Sequence, residues 1–277
     1  MNRKNTALLV IFSSVLIGSI FIYLLYILYF EEIINYIVTV EESIVLVIII
    51  LIKIAIISSI GCFLLYKWYN QEEQYYSDIR FLFSVFFFIL VFAKAIDIVI
   101  NLVFFQVSSA ELLLLSKIRF LFVVINVLPM LFLSIEMILV YFSLMDRFKK
   151  LRKKAYFKKT QKIILISITL LVSIAILLAP TYSIIITIYP FISIISFLII
   201  FWMFLFAYRT QRLSDINPLI VAIGFGLFLF TSIFRALGHN LIDPKFNSII
   251  SEILEIIVFT IIFIGLIRQA NYYKSQE

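Results

Sequence analysis

Histidine and cysteine are all but missing from this 277-residue chain, each occurring once, as His239 and Cys62. A single cysteine has no intrachain partner, so no disulfide framework exists and the redox compartment stays open. One histidine and one cysteine, with no H-E-x-x-H pair and no carboxylates at metal-ligand spacing, give no support to a metal centre, and bis-histidine haem ligation within one chain is excluded. There is no G-x-S-x-G elbow for a serine hydrolase and no G-x-x-x-x-G-K phosphate cradle. The G-x-G of "GFGLFLF" lies inside an apolar run, where it has no nucleotide meaning. The last apolar stretch holds no lysine, which removes a retinal Schiff base. No cofactor and no catalytic constellation follow from these residues, and the chain is not expected to be an enzyme. Charge is scarce too: 14% of residues are charged against 64% hydrophobic and 17% aromatic, far from the composition of a soluble domain.

What the chain has instead is length without charge. Several runs exceed about eighteen residues, enough to cross a hydrocarbon layer of about 30 Å at about 1.5 Å per helical residue. Stretches such as 44–52 and 184–188 are apolar on every face, whereas barrel strands would alternate. The fold class expected is all-α: a polytopic transmembrane helix bundle, one integral-membrane domain over residues 1–277. Eight spans are placed near 7–30, 44–66, 81–105, 117–145, 163–183, 188–208, 218–238 and 248–267. Pro180 and Pro190, with "PTYS" between them, divide the long apolar tract 163–208 into the fifth and sixth spans; without that turn the count is seven. The first thirty residues start basic and turn apolar like a signal peptide, but the apolar part is too long for a cleaved h-region and no small-x-small site follows. They are expected to stay as the first helix.

Lys and Arg set the orientation, because cytoplasmic loops carry an excess of both. Of the 23, seventeen fall on one side of an eight-span layout, and the loops of the other side hold Lys245 alone. Both termini are therefore expected in the cytoplasm of a multi-pass protein of the cell membrane; seven spans would put one basic terminus on the wrong side. The opposite connections, "EEIINYIVTVEES" and "QVSSAE", carry no basic residue and are too short for a folded domain. The tail after Arg268 is equally short, so any output is expected to pass through the bundle or through a partner.

Residues 146–162, "DRFKKLRKKAYFKKTQK", link spans four and five and hold nine basic residues against Asp146. Close to an anionic inner leaflet each contributes about 1 kcal/mol, which makes Lys149, Lys150, Arg152, Lys153, Lys154, Lys158 and Lys159 the candidate lipid-surface contacts. Leu151, Tyr156 and Phe157 are spaced to lay an apolar edge among headgroups. The plainer use of such a cluster is to fix topology. No nucleic-acid motif accompanies the charge, so the partners expected are the bilayer with its anionic lipids on the cytoplasmic face, and a cytoplasmic signalling partner or an oligomer.

Against this background "VFAKAIDIVINLVFF" stands out. At helical spacing Lys94, Asp97 and Asn101 share one face, about 12–16 Å below the outer end of the third span for the two charges. Each central charge costs about 2.5–3.5 kcal/mol in lipid, which turns such a stripe inward. Lys53, Glu252 and Glu255 lie at similar depth in other spans. Arg235 and His239 sit one turn apart at the end of the seventh. Lys117 and Arg119 are expected to snorkel to the interface. Glu136 has no charged partner at its depth and must be neutral or held by a polar group. Spans five and six bring no charge and are expected to pack or face lipid. Pro129 should kink the fourth span below Asn126, while Gly224 and Gly226 suit close helix approach.

The candidate set is therefore Lys53, Lys94, Asp97, Asn101, Glu136, Arg235, His239, Glu252 and Glu255, which could line a ligand pocket or simply pair with one another and hold helices together. Because these groups crowd one half of the bundle, a receptor-like sensor or membrane adaptor is the leading reading. A secondary transporter or channel using the same charges is the alternative. The many-span, tail-poor layout is similar to membrane sensor modules of prokaryotic signalling proteins, a likeness of architecture that transfers no residues.

Overall fold

The structure, a computed structural model, describes residues 3–40, 42–238 and 243–270. Among them every regular element is helical, as the all-α expectation requires: α1 (Arg3–Leu28), α2 (Phe30–Thr39), α3 (Glu42–Tyr69), α4 (Ile79–Val103), α5 (Ser109–Leu144), a 3-10 helix (Asp146–Arg152), α6 (Lys154–Leu178), α7 (Tyr182–Arg209), α8 (Pro218–Gly238) and α9 (Pro244–Ile267). Seven of these, α1, α3, α4, α5, α6, α8 and α9, are long and apolar enough to cross a membrane, and α7 adds a shorter apolar stretch over Ser193–Arg209.

Local chemistry explains where the helices begin and stop. Asp78 accepts from the Arg80 amide at 2.8 Å to start α4. Ser108 and Glu111 cap α5 reciprocally: the Glu111 carboxylate accepts from the Ser108 amide at 2.9 Å, and Ser108 Oγ accepts from the Glu111 amide at 3.3 Å, an S-x-x-E capping box. The pairs Asn217–Pro218 and Asp243–Pro244 open α8 and α9 in one way. The Asx side chain accepts from the amides of Ile220 and Phe246, at 3.2 and 3.3 Å, and the proline takes the first helical position, where no N–H is missed. The turn expected at Pro180 is present, and α7 then runs on from Tyr182 through position 190. Gln211, at φ 53°, ends α7 in the left-handed region. Bonds from Arg212 N to Ala207 O and from Gln211 N to Tyr208 O close that end as a Schellman turn.

The segment expected to be a plain connection, 31–43, is largely the helix α2. It buries Ile33 and keeps Glu31 and Glu32 in its first turn. Gln106 clips it, donating to Glu32 O at 2.7 Å and accepting from Tyr36 N at 3.1 Å.

Packing divides the chain into two compact units, Met1–Asn126 with Ile176–Ile186, and Val127–Ala175 with Thr187–Glu277. In the first, α4 is the central helix: 67% of its apolar window is buried, against 6% for α1. Phe83, Phe86, Phe87, Ile96 and Val99 of α4 are almost wholly buried, and Ser84 Oγ donates across to Gly61 O of α3 at 3.0 Å. In the second, aromatic rings of α7, α8 and α9 interlock, with Phe197–Phe228 at 4.6 Å and Phe228–Phe259 at 5.3 Å between centroids.

Candidate functional site

In the first unit the polar stripe of α4 only partly turns inward. Lys94 and Asp97 are buried, at 5% and 6% exposure, and their i,i+3 spacing yields an ion pair of 3.2 Å. Asn101, two helical turns beyond Lys94, is exposed, so the stripe that spacing drew as continuous stops after Asp97. The second cation on Asp97 comes from α5: Arg119 Nε pairs with Asp97 Oδ1. Arg119 is thus an inward partner and not the interfacial residue its position suggested, while its guanidinium also lies 5.3 Å from the Phe120 ring. Lys117 donates to Leu177 O at 2.8 Å, placing a cation at the carbonyl end of α6, where the helix dipole favours it. Lys53 on α3 is fully buried.

In the second unit the charges gather on the α8–α9 hairpin. Arg235 Nη2, one turn from the end of α8, reaches Glu252 Oε1 at 2.7 Å and Glu255 Oε1 at 2.8 Å. The side chains of the two glutamates are 6% and 9% exposed and that of Arg235 31%, so the cation is the least buried member of the triad. Asn247, one turn before Ser251 on α9, donates Nδ2 to Arg235 O at 3.0 Å. His239, the remaining group foreseen at this place, lies outside the described residues.

The other half of the same hairpin has a different character. A Cβ added at Gly265 would stand 2.7 Å from Val221 Cγ2 and 2.8 Å from Val221 N, and one at Gly224 would run into Ile262. Asn217 N donates to Gly265 O at 2.8 Å. Two glycines, set opposite larger side chains, let the backbones of α8 and α9 approach closely. The hairpin is polar at the turn and close-packed at its far end.

Glu136 on α5 finds the polar group its isolation demanded. Gln161 and Lys158 lie close enough to act on its charge, and Gln161 Nε2 donates to Phe132 O at 3.3 Å. Both residues belong to α6, the helix into which the basic linker feeds. That linker is folded over much of its length: its first part is the 3-10 helix, and its second half opens α6. Arg152 donates through Nε to Ser143 O at 3.0 Å and through Nη2 to Leu144 O at 3.4 Å, capping the carbonyl end of α5. Leu151 is buried against Ile135 and Leu139, with Phe157 packed beside them. The apolar edge expected of the linker is therefore divided, with Leu151 buried, Phe157 half-buried and Tyr156 exposed. Lys149, Lys150, Lys153, Lys154, Lys158 and Lys159 are all exposed.

Sequence reasoning missed Arg119, Asn247, Ser251 and Gln161. The signal for Asn247 and Ser251 was present in "NSIISEILE", where 247, 251 and 255 share a helical face. Among the described residues no group of three or more His, Cys, Asp and Glu side chains could hold a metal ion. No protein-family model matches the chain, and neither a curated protein nor a solved structure is significantly similar to it.

Proposed function

We propose that this integral membrane protein is a receptor-like sensor or membrane adaptor of the cell membrane. It has eight spans, both termini cytoplasmic and a polar pocket that opens outward. The observation that carries this reading is the asymmetry of the α8–α9 hairpin: Arg235, Glu252 and Glu255 crowd the turn end, whereas Gly224, Ile262, Val221 and Gly265 bring the two helices into close contact at the opposite end. With seventeen basic residues assigned inside, the turn end faces out, and a ligand entering there meets a floor and not a channel. A blind site suits detection. Binding shifts helices, and the movement reaches a partner at the cytoplasmic surface, where the exposed lysines of the linker hold anionic lipid.

A secondary transporter is the second reading, favoured by one group: Glu136, with Gln161, supplies a polar station toward the linker side, and transport requires access from both sides of a midplane site. Purified protein in proteoliposomes separates the two. The sensor reading expects no substrate-driven flux or proton movement above empty vesicles. Flux that is lost in Asp97→Asn or Glu136→Gln would overturn it.

A further inference from the structure

Hydroxyls in the helices of the second unit follow a common habit. Ser134, Thr231, Ser232 and Thr260 each donate to the carbonyl one turn back, at 2.9, 3.0, 2.9 and 2.9 Å. Ser251 departs from it. It is fully buried, yet its Oγ has no hydrogen-bond partner. One turn earlier Asn247 is 3% exposed and its Oδ1 is also unpartnered, the amide nitrogen being held by Arg235 O. A buried polar atom left unbonded costs more than a made bond returns, and hydrocarbon offers no water to relieve it. Two such atoms one turn apart on one face of α9, beside Glu252 and Glu255, mark a place that packing alone does not explain.

Acceptors gather at that place. Amide, hydroxyl and carboxylate oxygens lie beside the Arg235 guanidinium, whose one positive charge faces two carboxylates, and Asn247 Oδ1 stands against Gly238, where α8 ends in its negative carbonyl pole. Oxygen donors select hard cations, and too few carboxylates stand here for a divalent ion. We propose that Asn247 Oδ1 and Ser251 Oγ, with the carboxylates gathered around Arg235, form a site for a small monovalent cation, either Na+ or a primary ammonium group. This names the ligand class of the polar pocket and rests on that reading for entry from outside.

The test uses the full chain in nanodiscs, with thermal unfolding followed as NaCl or methylammonium chloride replaces choline chloride at constant ionic strength. A saturable rise in melting temperature is expected with one of the two ions, and which one responds identifies the source. Ser251→Ala should weaken the midpoint about tenfold, whereas Ser134→Ala, whose hydroxyl is already bonded within α5, leaves it unchanged. Equal melting in all three salts, or a saturable rise that Ser251→Ala does not alter, overturns the proposal. Entry is measured separately: Phe246→Cys, exposed at the turn end of α9, in a Cys62→Ala background on intact cells, should react with a small impermeant thiol reagent. Cation-dependent melting without labelling would remove outward access while keeping the cation site, and labelling without cation dependence would do the reverse.

Discussion

At the scale of single residues, the burial of charge is arranged so that one group in each cluster is shared by two partners of opposite sign. Asp97 stands between Lys94 and Arg119, and Arg235 stands between Glu252 and Glu255. Removing the shared member should therefore cost more than removing an outer one. Asp97→Asn, which leaves two cations facing a neutral amide, is expected to destabilise the chain by about 3 kcal/mol, read as the midpoint of denaturant unfolding in detergent. Arg119→Lys should recover only part of what Arg119→Leu loses, because an ammonium does not reproduce the guanidinium's planar fork. The pairing of Lys94 with Asp97 was legible in the sequence, since i,i+3 spacing places them together whatever the rest of the fold does. Arg119 was not, because its partner lies on another helix and helical periodicity carries no information about which faces meet.

Among elements, close approach of helices depends on a few glycines, and their tolerance can be ranked. Gly265→Ala puts a methyl group against the Val221 backbone at 2.8 Å, an overpacking that costs about 1–3 kcal/mol. Gly61→Ala meets Phe87 Cβ at 3.4 Å and should leave stability nearly unchanged. A melting series across these two variants checks the order, and equal losses would show that the α8–α9 seam yields to an added methyl group. The linker offers a second comparison: Arg152→Ala removes the cap on α5 and should cost about 0.5–1 kcal/mol, while Lys153→Ala should cost nothing measurable. On vesicles the two should reverse in importance, with Lys153 and Lys154 governing binding to phosphatidylserine and high salt abolishing it. The end at Pro180 is readable from its turn chemistry, whereas the Asp243–Pro244 start of α9 lies ahead of the last span as placed from 248, although an Asx–Pro pair stands there. The helix α2 escaped reading because its glutamates resemble a solvated loop. What makes it helical is Ile33 packed into the first unit, together with the Gln106 clip.

For the molecule as a whole, orientation is the property on which the functional reading stands. In a Cys62-free background, cysteines at Ile37 and Val107 should react with an impermeant reagent on intact cells, and those at Gln74 and Ala155 only after permeabilisation. External reaction at Ala155 would turn the whole assignment over. The hairpin of α8 and α9 also has a consequence for how the chain is made. Arg235 leaves the ribosome before Glu252 and Glu255, and at roughly 5–20 residues per second the delay is about one to four seconds. During that interval α8 carries an unaccompanied guanidinium near its end, where insertion costs less than the about 2.5–3.5 kcal/mol of a helix centre but is still unfavourable. The first of the two helices should therefore linger at the translocon until the second arrives, so that the pair enters lipid as one piece, and a nascent chain halted before Glu252 should remain extractable where one halted after Ile267 does not.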